Sequence, residues 1–240
     1  MTAATRVRPR ASVGRRGWIR TYFGRGRSEQ GAVLVEAAFV FPVFMLLLFG
    51  MIEFGFIFKD SLTLSSMVQT GARTGAVVGN GTSPSADYEI LSTMDAGSPS
   101  LNSTIQSIII FDANSATTPG SPVSTVPTAC VSAASAGAAG VPGVCNVYDA
   151  AQWSQIVSGT ETGQDFTGSP SCSASCWDAD WPPTARQVSE DSNPDANGVG
   201  TGPDFLGVYI SASHKNLTGF FPSVTLHETD IIRIEPQSFS

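Results

Sequence analysis

Glu36 carries the clearest chemical demand in this chain. It stands near the start of an apolar run, AVLVEAAFVFPVFMLLLFGMIEFGFIF, that extends from Ala32 to Phe58. An unpaired carboxylate deep in lipid costs on the order of a few kcal/mol, so such residues have a function or a partner. A cut between Gly31 and Ala32 would create an α-amino group one helical turn before Glu36. That cation could pair with Glu36 of its own chain or of a neighbour. Gly31 has no Cβ and lets a protease approach the backbone closely. The implied chemistry is maturation by proteolysis followed by a charge pair. The plainer alternative is that Glu36 only marks the inner interface.

Two further groups invite chemistry. Four cysteines, Cys130, Cys145, Cys172 and Cys176, lie after the apolar run. An even count in an oxidising compartment implies disulfides. Four cysteines allow three connectivities, and Cys130–Cys145 with Cys172–Cys176 is favoured because it closes local loops. A metal reading is poor: Cys172-x-x-x-Cys176 has no second pair at zinc spacing, and the two His are His214 and His227. Asn193-x-Asp195-x-Asn197-Gly198, followed by Asp204, approaches a calcium loop. Its first ligand is Asn, its last is Asp, and Pro194 and Pro203 oppose flanking helices, so an Asx-rich surface turn is the better reading. No hydrolase elbow, phosphate loop or Cys–His pairing is visible. The expectation is a protein without catalytic residues, metal or cofactor.

These residues need an element to hold them at a membrane. Residues 1–31 hold eight Arg against Glu29, a net +7; residues 32–58 carry −2 and residues 59–240 carry −12, giving −7 over 240 residues. A basic head and an acidic body on either side of an apolar stretch suggest a chain that crosses a membrane. The uncharged stretch Ala37–Ile52 has sixteen residues, about 24 Å as a helix. Residues 32–58 reach about 40 Å, enough for a ~30 Å hydrocarbon layer. Seven of fourteen Phe fall within residues 39–58, so the helix is apolar on every face. Pro42 is tolerable there. The Arg-rich side stays in the cytoplasm and the remainder is exported. No small-x-small site follows the run, and the residues around Arg15-Arg16 do not support a twin-arginine signal. The Arg-rich segment serves topology and peptidase presentation rather than nucleic-acid binding.

Four segments follow: a cytoplasmic leader, 1–31; a transmembrane helix, 32–58; a juxtamembrane helical stalk, 59–80; and an extracytoplasmic domain, 81–240. Leu64, Met67, Val68, Gly71, Ala72, Gly75, Ala76 and Gly79 recur at helical spacing. Gly71, Gly75 and Gly79 form a small-x-x-x-small ladder suited either to packing on a partner helix or to a flexible stalk. A short helix is expected at 85–96 and a strand at Ile105–Phe111. Residues 112–204 read as loop-rich, with a low-complexity Ser/Thr/Pro/Ala/Gly tract at 112–144. Strands are expected within 205–235: Phe205–Ser213, then one or two more over Val224–Leu226 and Ile231–Ile234, forming a small antiparallel sheet with one buried face. His214-Lys215-Asn216 reads as a connection. The fold class is α+β.

The stretch from Gln30 through Gly31, Ala32, Glu36 and Pro42 resembles the type IV prepilin processing pattern. With Leu46-Leu47-Leu48-Phe49-Gly50-Met51-Ile52-Glu53-Phe54-Gly55 it resembles the TadE-like family of pilus assembly proteins over residues 30–78. Less specifically, the strand, connection and strand ending in Arg233-Ile234-Glu235-Pro236 is also similar to that family. The resemblance implies a minor pilin or pseudopilin of the tight-adherence, Flp-type system, anchored by a single pass in the cytoplasmic membrane. It implies a prepilin peptidase, other pilin-like subunits and the assembly machinery as partners. Glu36, Pro42 and Glu53 would be its assembly contacts. An anchored extracytoplasmic binding domain outside any pilus is the alternative class, and an anchored hydrolase a weaker third.

Overall fold

The computed structural model describes residues 27–79, 85–101, 103–118, 120–167, 169–172, 175–186, 203–219 and 221–235. It comprises two compact units, Met1–Leu48 and Phe49–Ser240.

Within the first unit, helix α1 (Arg27–Val78) begins and carries Pro42 in its interior. Leu34, Phe39, Phe41 and Leu46 are exposed. The most apolar stretch of α1 has 0% of its length buried within the chain. The core helix of a water-soluble protein would be covered by its own domain. This helix is long and apolar enough to cross a bilayer, and its bare surface suits a single-pass anchor.

The second unit is built on the rest of α1. Leu64, Met67, Val68, Ala72 and Ala76 are buried on one face, at the spacing of successive helical turns. They meet α2 (Ala86–Asp95) and one face of a five-stranded antiparallel sheet. Its order is β2 (Gly140–Val141), β3 (Cys145–Asp149), β1 (Thr104–Asp112), β4 (Phe205–His214) and β5 (Val224–Arg233). One face of this segment, from Leu64 to Ala76, is therefore core, and the segment is not a free stalk. The glycine ladder explains the fit. A Cβ on Gly71 would lie 2.7 Å from Met94, and one on Gly75 would lie 2.8 Å from Leu206. The small residues receive α2 and β4 of the same chain, where a partner helix or free stalk was expected. Thr93 of α2 also donates to Thr74 at 3.1 Å, and the Glu235 N–H to the Ala76 carbonyl at 2.8 Å.

The sheet is buried on both faces at its centre, not on one. Ile108 and Ile110 of β1 join the core beneath α1 and α2, while Ile109 and Phe111 join a second cluster with Cys130, Cys145, Val147 and Tyr209. A strand covered on both sides has no polar face to alternate with, hence the continuous Ile-Ile-Ile-Phe run. The second cover is α3 (Thr128–Ala136), inside the tract read as low-complexity. Alanine is the best helix former, and Gly137 (φ 70°) ends the helix in a left-handed turn. Cys130 of α3 is bonded to Cys145 of β3. That link adds about 3 kcal/mol by restricting the unfolded chain.

The expected loop-rich stretch thus contains α3, β2, β3 and α4 (Ala150–Val157). Asp149 starts α4 with a capping box: its carboxylate accepts from the Ala151 and Gln152 N–H groups, and Gln152 returns a bond to the Asp149 N–H at 2.9 Å. β5 is a single ten-residue strand, which settles the open choice between one strand and two. The other disulfide is Cys172–Cys176. Asn193 to Gly198, the first part of the calcium-like motif, lies outside the described residues.

Asp204, the last member of that motif, sits at one end of the sheet. Asn114 donates its amide to both Asp204 (2.6 Å) and Asp112 (2.7 Å). Burial, and then the charge of Asp204, pushes the Asp112 carboxyl up to about 6 despite the Asn114 bonds that favour its ionised form. A carboxyl raised from 3.8 binds protons more readily folded than unfolded, so its ionisation removes stability as pH rises from about 4 to 6. Asp112→Asn keeps an acceptor for Asn114 and deletes the charge. Thermal unfolding across pH should show a higher midpoint for the variant at neutral pH, with the gain shrinking below about pH 6 and absent below about pH 4. A gain of equal size at every pH would count against this account.

Candidate functional site

On the domain-facing side of α1, two carboxylates precede the buried apolar stripe. Glu53 and Asp60 are seven residues apart, two helical turns, and so share one face. Glu53 is 3% exposed and Asp60 0%. Ionised carboxylates this deep require donors. Glu53 accepts from the Leu217 N–H (2.9 Å), the Thr218 N–H (3.3 Å) and the Thr218 hydroxyl (3.2 Å). Asp60 accepts from the Ser103 hydroxyl at 2.6 Å. His214 stands between the two. Its Nδ1 lies 2.8 Å from Asp60 Oδ2, and its Nε2 lies 3.5 Å from Glu53 Oε1.

This arrangement fastens the helix to the end of β4 and to the β4–β5 loop. His214 belongs to β4 and is 2% exposed, so it is not part of a connection. It bridges two carboxylates that stand two turns apart on α1. Ser103, His214 and Asp60 do not form a nucleophilic relay. Ser103 and His214 Nδ1 both approach the same Asp60 oxygen, and the far imidazole nitrogen faces Glu53. A hydrolytic triad needs serine and carboxylate on opposite imidazole nitrogens.

The second unit contains another polar centre. Asp87 of α2 accepts from Arg186 (2.6 Å), Tyr148 (2.7 Å) and Asn146 (2.8 Å). The Arg186 guanidinium also covers the Trp181 ring at 4.3 Å. Asn146 exchanges bonds with the Trp181 backbone, accepting at 2.7 Å and donating at 2.9 Å. Burial first, then the Asp87 charge, raises the Tyr148 phenol well above its ordinary range, so it stays a donor. Phe166 packs among Tyr88, Tyr148 and Trp177 at centroid distances of 5.4 to 5.9 Å. This centre joins Phe166, Trp177, Trp181 and Arg186 to α2 and β3. Among the described residues, the buried Arg186 Nε and Nη1 have no hydrogen-bond partner in this centre.

The sequence-derived site residues separate between the two units. Gly31, Ala32, Glu36 and Pro42 lie on exposed α1 in the first unit. Glu53, expected as an assembly contact, is instead engaged by Leu217, Thr218 and His214 of its own chain. Gly71, Gly75 and Gly79 are occupied internally, and the four cysteines form two local disulfides. Sequence reasoning missed His214 and Asp60. The available signal was the seven-residue spacing of Glu53 and Asp60, which puts two acids on the face that is otherwise apolar. Among the described residues, no group of His, Cys, Asp and Glu is placed to hold a metal ion.

A family model described as a TadE-like protein matches residues 31–73. The matched segment starts at Gly31 and takes in Glu36, Pro42, Glu53, Asp60 and Gly71. No curated protein and no solved structure matches the chain.

Replacing His214 tests the helix–domain clamp. His214→Ala removes the imidazole that links two buried carboxylates, so the full chain in detergent should unfold several degrees lower. Adding Asp60→Asn should recover part of that loss, because it removes one of the two buried charges. Equal midpoints for wild type and His214→Ala would show that the bridge contributes nothing.

Proposed function

We propose that this chain, TadE-like over residues 31–73, is a non-enzymatic minor pilin-like protein that assists or initiates assembly of a tight-adherence, Flp-type pilus. A prepilin peptidase removes residues 1–31 by cutting between Gly31 and Ala32. The Arg-rich leader remains cytoplasmic, α1 is held in the cytoplasmic membrane, and the acidic disulfide-bonded domain stands outside. Glu36 pairs with the new α-amino group and provides the contact with neighbouring pilin-like subunits in the membrane layer.

The observation carrying this reading is the start of the family match at Gly31, immediately before Ala32 and five residues before Glu36. Two features support it. Among the described residues, nothing beyond its own stretch of helix lies within 4 Å of a Cβ placed on Gly31. Glu36 is exposed on α1, where a partner can reach it. A buried and hydrogen-bonded Glu36 would have opposed the proposal. The non-enzymatic reading is supported by the two polar centres of the second unit, whose donors and acceptors serve to join elements.

Two substitutions separate processing from assembly. Gly31→Ala should leave a precursor that retains the leader, visible as slower gel mobility and as the uncut intact mass; mature protein in normal yield would remove the proposed cut. Glu36→Ala should still insert in the membrane yet give few or no pili by electron microscopy. Normal piliation with that variant would eliminate the role assigned to Glu36.

A further inference from the structure

The β4–β5 connection has an unusual composition for the loop of an acidic domain: Lys215-Asn216-Leu217-Thr218-Gly219, then Phe221-Pro222-Ser223. Leu217 is 74% exposed, and Phe221 and Pro222 are also exposed. The loop is closed and fixed in place. Asn216 donates to the Pro222 carbonyl across its base, Gly219 turns its tip at φ 70°, and Glu53 holds the Leu217 and Thr218 N–H groups. Its apolar side chains are thus presented outward by built contacts. The Phe221 ring lies 4.0 Å from the position of a Cβ on Gly50.

That contact sets the level of the tip along α1. Gly50 and Glu53 lie where the other faces of the helix expose Met51, Ile52 and Phe54, and Phe58 and Leu62 continue the apolar stripe toward the domain. Beyond Leu62 the exposed face becomes polar, with Ser66, Gln69 and Thr70. The loop tip is therefore level with apolar helix surface, on the bilayer-directed side of Phe58. Lys215 stands exposed at the loop base, where a long aliphatic stem with an ammonium head suits the boundary of acyl chains and phosphates.

We propose that the β4–β5 loop is a second membrane contact, with Leu217 and Phe221 seated in the acyl boundary of the outer leaflet and Lys215 on lipid phosphate. The occupant is lipid because the patch is continuous with the apolar surface of the anchoring helix and is flanked by a cation. A contact of this kind buries apolar groups to roughly 5–10 Å. It would hold the domain against the bilayer by two points. The inference rests on α1 being inserted in the membrane.

The test uses the full chain in vesicles of phosphatidylethanolamine and phosphatidylglycerol. The four native cysteines are paired, so one added cysteine gives a unique site for an environment-sensitive fluorophore. Leu217→Cys reports on the loop, Ala116→Cys on the opposite end of the sheet, and Phe44→Cys on the anchor. The label at 217 should emit to the blue of the label at 116. Lipids with a doxyl group high on the acyl chain should quench the 217 label at least about twofold more than the 116 label. Aqueous emission at 217 with quenching at 44 overturns the proposal and leaves the anchor standing. Aqueous emission at both removes the anchor and, with it, the proposal. A blue shift at 217 that grows with protein-to-lipid ratio but without lipid quenching assigns the tip to a second copy, which also overturns it.

Discussion

A carboxylate on the buried face of an apolar helix dictates what can stand opposite it. Glu53 and Asp60 create that condition twice on α1, two turns apart. Water cannot meet them, because both are covered. The chain answers with two backbone N–H groups, two hydroxyls and one imidazole. Backbone N–H groups are fixed in space, so the β4–β5 loop must lie at one position along the helix. An apolar contact alone would tolerate sliding by a turn. The polar bridge defines the register, and the apolar stripe from Leu64 to Ala76 fills in beneath it.

The second half of α1 therefore differs from a connector. Its small residues admit α2 and β4, and its carbonyl and hydroxyl groups bond to the domain. The anchor and the core of the second unit are one continuous secondary-structure element in sequence. Far from this helix, the domain compensates for weak periodicity with directional links. Asp87 gathers Arg186, Tyr148 and Asn146 around one carboxylate, while the Cys130–Cys145 bond ties α3 to the sheet. Loop-rich chain with many Ser, Gly and Pro has little apolar area to bury per residue. A shared buried carboxylate and two disulfides hold such chain in place where packing alone would not.

How much of this was legible in the sequence depended on whether the signal was local. The membrane-length helix, α2, β1 and β4 have runs or periodicities contained within a dozen or so residues, and they were readable. The one-sided sheet was a misreading with a cause: the Ile108–Phe111 run already lacked alternation, which is the mark of a strand covered twice. α3 was hidden because Ala, Ser and Gly tracts suit both a linker and a helix; the Cys130 link and the Gly137 turn decide between them. α4 was announced by Asp149-Ala150-Ala151-Gln152, a capping box lost in its polar context. His214 could not have been found from its neighbours, since its partners are 154 and 161 residues away. Only the paired acids on α1 pointed to it.

The two acids that bracket the apolar run also show why residue type alone does not assign a role. Glu36 and Glu53 are the same side chain on the same helix, and each interrupts apolar sequence. Glu53 is enclosed and receives its donors from residues far along its own chain. Its demand is met within one molecule, so its presence is explained by folding. Glu36 is exposed, in a segment whose surroundings are to be supplied by something other than this domain. Under the proposed function, the same desolvation cost acts as a requirement on assembly. On that reading a donor comes from a new N-terminus, from a neighbouring chain or from both, and the helix is least stable in lipid until it does. Under the proposed function, that unmet demand is what couples cleavage at Gly31 to incorporation: removal of the leader creates the cation that makes Glu36 acceptable inside a packed membrane layer.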